Sequence, residues 1–202
     1  MTQKVYYYPV WLRIWHMINA LMFLFLIITG LSMQYGLFKI RFDYAVTIHN
    51  VCGIVLTISY MYYFVANFII GNLKFYRIKF SGLYKNLAIQ FRFYTIGIFR
   101  NEKAPFPLTT KRKFNPLQKL SYVGVMYIIV PLIIFSGLAL LFPQIIYNRV
   151  LGVPGIVLTD LVHVMAGFLG SIFMIIHVYF CTIGAKPSAN FKSIVSGYHE
   201  IE

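Results

Sequence analysis

Carboxylates are scarce in this chain: Asp43, Glu102, Asp160, Glu200 and Glu202 stand against 18 Lys and Arg in 202 residues. None of the five lies well inside an apolar run, so no buried pair of carboxylates is available for acid–base work. Cysteine is nearly as rare. Cys52 and Cys181 fall in separate apolar runs, form no zinc-type spacing and are not expected to pair. Charged residues of both signs make up only 11% of the chain, whereas 59% is apolar. An ordinary soluble domain is thereby excluded, because a chain of this size could not hide so much apolar surface.

What is present is a set of long uncharged runs. Crossing a bilayer core as a helix takes ~20 apolar residues, and spans are predicted at about 14–35, 44–71, 120–147 and 161–185. Trp11 and Trp15 stand where aromatic rings mark the headgroup boundary. Pro131 and Pro143 are expected to kink or end span three. No small-residue cleavage site follows a short apolar core near the start, so the first run is expected to stay as a membrane helix. The expected fold is an all-α, four-helix membrane bundle forming one domain over residues 1–202.

The net charge of +13 would suit nucleic acid if it covered one face. Instead eleven of the eighteen cations fall between Lys74 and Lys119, inside the loop 72–119 that joins spans two and three. Such loops stay in the cytoplasm, and with four spans both termini lie on that side, carrying Lys4, Arg13, Lys186 and Lys192. The outer loops hold only Lys39, Arg41 and Arg149. The expected partner is the lipid bilayer, not nucleic acid. Within the basic loop, residues 81–99 place Leu83, Leu87, Phe91, Tyr94 and Ile98 on one helical face, opposite Lys85 and Arg92. This predicts an amphipathic helix lying on the membrane; a disordered basic loop is the alternative.

Four of the five histidines fall in spans. His163 and His177 share span four, fourteen residues apart, which is about 21 Å of helix rise and nearly four whole turns. Their imidazoles therefore leave one face at two depths. His16 enters span one from the cytoplasmic side and His49 enters span two from the outside. Depth thus pairs His16 with His177 and His49 with His163. Two imidazoles from different helices are what six-coordinate haem iron takes. A helix–helix hydrogen bond would explain any one such histidine, but four in depth-matched pairs favour two haem irons. The chain has no C-x-x-C-H, so the haems would be held by coordination and packing. His199, in the polar tail, is expected to be solvated.

Glycines lie near the same depths: Gly30, Gly53, Gly167, Gly124 and Gly137 permit close approach of backbone to a flat macrocycle, although ordinary small-residue helix packing explains each alone. Arg13, one turn before His16, suits either an anionic propionate or a positive-inside anchor. Asn19 suits either a quinone carbonyl or a neighbouring helix.

With these residues the chain resembles the di-haem cytochrome b subunits of membrane oxidoreductases: the Ni,Fe-hydrogenase cytochrome b, the formate dehydrogenase gamma subunit and the thiosulfate-reductase type. The likeness rests on Tyr8-Pro9-Val10-Trp11-Leu12-Arg13-Ile14-Trp15-His16, on Ile28-Thr29-Gly30, on His49 opening span two, and on the His163-to-His177 interval. Met17 stands where members commonly have tryptophan, and the tail around Gly197-Tyr198-His199-Glu200 is more similar to the thiosulfate-reductase type. The resemblance implies two haem b, with His16, His49, His163 and His177 as iron ligands. It also implies electron exchange between a quinone (menaquinone or ubiquinone) and a partner subunit carrying iron–sulfur, molybdopterin, Ni,Fe or multihaem c-type centres. The place would be the bacterial cytoplasmic (inner) membrane. A stand-alone superoxide:quinone oxidoreductase of similar build is the alternative. A metal or haem transporter fits less well, since acidic entry sites are missing.

Overall fold

The structure, a computed structural model, describes residues 3–107, 109, 112–183 and 186–201. Four helical segments of 26 to 29 residues are long and apolar enough to cross a membrane. They are α1 (Val10–Tyr35), α2 (Phe42–Ile70), a third span over Pro116–Leu141, and α6 (Gly155–Cys181). Their side chains mostly face outward: Phe68, Ile69, Phe135 and Ile175 are each more than 70% exposed. In water that surface would be untenable; in lipid it is the natural arrangement, with every backbone polar group satisfied inside its own helix.

Glycine ends the first two spans. Gly36 and Gly71 adopt left-handed backbone and return their N–H groups to Ser32 and Asn67, as helix C-termini require. The third span is not one smooth helix. It comprises α4 (Pro116–Gly124), a π-turn over Val125–Ile129 and α5 (Val130–Leu141). The cause is Pro131, which lacks an N–H and clashes with the carbonyl four residues back, so the ladder shifts register just before it. At the start of α4, Asn115 and Gln118 form a reciprocal capping box with Pro116 in the first turn.

The boundaries differ from the sequence expectation at several ends. Charge-free runs mark hydrocarbon, whereas helices continue into the headgroup region. So α1 begins at Val10 and includes Arg13, and α6 begins at Gly155 and includes Asp160. Span three ends at Leu141 rather than near 147, because Phe142 leaves helical geometry and Pro143 cannot rejoin it. The predicted end of span four at residues 184–185 lies outside the described residues.

Between spans two and three, α3 (Leu83–Arg92) continues through a π-turn to a short 3-10 turn ending at Arg100. The helix is where the amphipathic pattern places it, with Leu83, Leu87, Tyr94 and Ile98 half-buried, but Phe91 turns outward. Phe91 is 62% exposed while Gln90 is 2% exposed. Tyr94 anchors the packed face: Asn115 Nδ2 donates to its Oη at 2.6 Å, and its ring packs 4.4 Å from Phe180. Tyr84, Phe91 and Phe99 are left outward, which suits an interfacial position.

The polar tail is folded. It forms α7 (Ala189–Ser196) and β4 (Tyr198–Ile201), and β4 pairs antiparallel with β1 (Gln3–Tyr6). The Arg13 guanidinium donates to the Val195 carbonyl in the last turn of α7, where carbonyls lack helical partners and the dipole favours a cation. Both termini therefore lie on one face of the bundle. His199 is not a freely solvated residue; it is half-buried, with Nδ1 3.0 Å from Ser193 Oγ and its ring 5.9 Å from Tyr7. On the opposite face, β2 (Arg149–Val150) and β3 (Val153–Pro154) form a small hairpin before α6.

Candidate functional site: two histidine pairs between the hairpins

The four spans pack as two helical hairpins. α1 runs along α2, and α5 along α6. Within the first hairpin, Trp15 turns inward instead of marking the headgroups. Its Nε1–H donates to the Ser59 carbonyl at 3.0 Å, and its ring stacks on Tyr63 at 4.1 Å. Asn19 donates to Ser59 Oγ at 2.6 Å and to the Trp15 carbonyl at 2.7 Å, so its amide serves the helix–helix contact. Tyr60 Oη links the hairpins by donating to the Met126 carbonyl at 2.9 Å.

The histidines face the space between the hairpins. On the termini side the rings of His16 and His177 have centroids 6.2 Å apart at 52°. On the far side His49 and His163 have centroids 6.1 Å apart at 74°. Two imidazoles bound to opposite faces of one iron, each with a metal–nitrogen bond of about 2 Å, hold their centroids about 6 Å apart. A direct imidazole–imidazole hydrogen bond would bring them to about 5 Å. Among the described residues no three His, Cys, Asp or Glu side chains converge. Each pair thus offers two donors, and a porphyrin brings the other four that iron takes. The residues fit the group.

On the far side, each imidazole also meets a hydroxyl. Thr29 Oγ1 lies 2.9 Å from His49 Nδ1 and 2.6 Å from the Phe25 carbonyl. A hydroxyl has one proton, and the carbonyl can only accept. Thr29 therefore donates to Phe25 and accepts from His49 Nδ1–H, which leaves Nε2 with its lone pair free. Ser136 repeats the arrangement, with His163 Nδ1 at 3.0 Å and the Leu132 carbonyl at 2.5 Å. Such partners fix the tautomer and ring plane of a metal-binding histidine. Thr29 enters the sequence reading only through the Ile28-Thr29-Gly30 likeness and Ser136 not at all, although Thr29-Gly30 and Ser136-Gly137 form a repeated hydroxyl–glycine dipeptide that signals both.

The termini-side pair is held by packing instead. Phe173 stacks on His177 at 5.6 Å and 18°, and Tyr122 meets it edge-on at 6.0 Å. Cys181 Sγ lies 3.9 Å from His177 Nε2. Phe173 and Cys181 stand one turn either side of His177, a spacing visible in the sequence. His16 Nδ1 is buried without a hydrogen-bond partner.

The glycines divide into two groups. A Cβ on Gly30 would lie 3.6 Å from His49 Cε1, and one on Gly137 only 2.9 Å from His163 Cε1. Gly137 gives the His163 imidazole its room, whereas a methyl at position 30 would only touch His49. A Cβ on Gly53, Gly124 or Gly167 would meet nothing within 4 Å. Arg13 turns to Val195, and its Nε is buried without a partner.

Residues 7–197 match the family described as prokaryotic cytochrome b561. The chain is also 38% identical, over 198 residues, to the Escherichia coli (strain K12) protein named "Putative cytochrome YdhU". That similarity covers 98% of this chain and 75% of the relative.

Proposed function

The chain belongs to the prokaryotic cytochrome b561 family, and we propose that it relays electrons between a membrane quinone and a partner redox subunit. Membership makes it a multi-pass membrane protein of haem-based electron transfer that holds haem b. The proposal is more specific. His16 and His177 hold one haem b, and His49 and His163 hold a second, in a single domain spanning the chain. The observation that carries it is the centroid spacing of both ring pairs.

Haem b held by two imidazoles supplies a reversible one-electron couple, with no open position for bond-making chemistry. The protein's own part is to hold and insulate. Thr29 and Ser136 set the tautomers of His49 and His163, while Phe173 and Tyr122 fix the plane of His177. The fourteen-residue interval on α6 separates the two pairs by depth, so that one lies towards each membrane surface. The quinone would be menaquinone or ubiquinone. The partner would carry iron–sulfur, molybdopterin, Ni,Fe or multihaem c-type centres. The eleven cations between Lys74 and Lys119 support placing the termini face on the cytoplasmic side of a bacterial inner membrane.

The test is a pyridine haemochrome assay on the purified protein, with mass spectrometry of co-purifying subunits. Two protohaems per chain are expected. One haem per chain, or none, would overturn the proposal.

A further inference from the structure

On the termini face a cavity of about 270 Å³ opens between the start of α1, the end of α2 and the segment entering α4, with Tyr7, Pro9, Gly71, Lys74, Phe75 and Lys113 in its wall. Two of these residues carry polar groups that the protein leaves unmet. Lys113 is 8% exposed. Its ammonium is ringed by Tyr8, Phe75 and Phe114, at 5.0, 5.5 and 6.0 Å from the ring centroids. Ring faces offset part of its desolvation, but among the described residues no carboxylate pairs with it. Tyr7 is also 8% exposed, and its hydroxyl is buried with no hydrogen-bond partner. A buried charge without a counter-charge is strongly unfavourable, and burial pulls Lys113 down only to about 8. It therefore stays mainly cationic at neutral pH.

The last turns of α2 before the cavity present a wholly apolar, lipid-facing side made by Phe64, Val65, Phe68 and Ile69. Beyond the helix end Gly71 turns left-handed and Asn72 donates back to the buried Asn67 at 2.6 Å. Asn72 lines the cavity itself. The junction falls where α2 ends at Ile70, the level at which hydrocarbon gives way to headgroups.

We propose that the cavity is a headgroup site for one anionic phospholipid, whose phosphate oxygens accept from the Lys113 ammonium and the Tyr7 hydroxyl while its acyl chains run into the surrounding bilayer. The phosphate meets both unmet groups at once. A neutral quinone head would leave the cation uncompensated. The cavity lies at the end of an apolar span, the level at which a bilayer presents lipid phosphates. Lys74, exposed at the rim, adds positive potential without being buried.

The test uses the full chain, purified with its haem, washed in detergent and titrated by native mass spectrometry. The probes are phosphatidylglycerol and phosphatidylcholine with matched acyl chains. One phosphatidylglycerol should bind at least about tenfold more tightly than phosphatidylcholine, the scale of one charge-assisted hydrogen bond. Lys113→Gln should remove that preference, Lys113→Arg should keep it, Tyr7→Phe should weaken it several-fold, and Lys103→Gln, on an exposed loop, should leave it unchanged. Equal binding of the two lipids would overturn the proposal. So would unaltered phosphatidylglycerol binding in Lys113→Gln, or displacement by inorganic phosphate at comparable concentration. If Lys113 instead serves a haem propionate, Lys113→Gln shifts a haem potential and spares lipid binding, which also overturns it. Should Lys113→Gln fail to fold, the wild-type lipid preference and Tyr7→Phe decide.

Discussion

Thr29 Oγ1, on α1, stands 2.9 Å from Nδ1 of His49, on α2. The hydroxyl's own proton is committed to Phe25 at 2.6 Å, so the imidazole is the donor in this contact. Thr29→Val keeps the shape and removes the acceptor. Weaker donation from Nδ1–H makes the imidazole a poorer iron ligand. The expected result is about 10- to 100-fold weaker haem retention at the His49–His163 pair, with a higher reduction potential for that haem alone. Ser136→Ala should act in the same direction through His163. Redox titration of the two proposed haems separates this from a general loss of stability, which would move both.

Removing a ligand should empty one site and spare the other. His163→Ala is expected to lose the far-side haem and His177→Ala the termini-side haem, each leaving one haem per chain. The reduced-minus-oxidised spectrum reads the count directly. Retention of both haems in either variant would refute the assignment of pairs.

Two glycines beside the far-side imidazoles should respond differently to the same added methyl. At Gly30 the new Cβ would rest 3.6 Å from His49, an ordinary contact. At Gly137 it would lie 2.9 Å from His163, whose ring is already held by Ser136. Gly137→Ala should cost about 1 to 3 kcal/mol through forced displacement and alter the far-side haem spectrum. Gly30→Ala should leave both near wild type. Thermal unfolding followed at the haem band checks the contrast.

Lys113 gives a pH dependence with a definite sign. Its folded pKa, about 8, lies below the ordinary lysine value of 10.5 because burial disfavours the charge. Between those values the unfolded chain binds more protons, so stability rises with pH. The cost is fully present below pH 8 and is relieved as pH rises through the window towards 10.5. Tyr8 and Tyr76, both pushed up to about 12 by burial, oppose the trend above pH 10. The clean measurement is therefore the difference in thermal midpoint between wild type and Lys113→Met in lipid-free detergent from pH 7 to 10. That difference should shrink as pH rises.

Much of the architecture was legible in the residues. Four uncharged runs mark four crossings, and the fourteen-residue interval on α6 places His163 and His177 at two depths, where His49 and His16 enter from the proper ends. Pro131 marks the break in span three. The directions in which Trp15 and Asn19 point were not legible. Both sit in a run apolar on nearly every side, and such a helix carries no moment to orient it. Ser59, forty residues away, is what turns Asn19 inward.

The sequence by itself determined how many times the chain crosses, where each crossing falls and how deep each imidazole lies. Those quantities follow from run length and helix rise, and both are local. Only the tertiary structure decided what meets the other nitrogen of each imidazole, that Arg13 is tied to Val195, and that the polar tail returns to pair with the first strand. These contacts depend on how each helix is rotated about its axis and on which distant residue then comes within hydrogen-bond reach. Lipid presents the same solvent to every face, so hydropathy carries no record of that rotation.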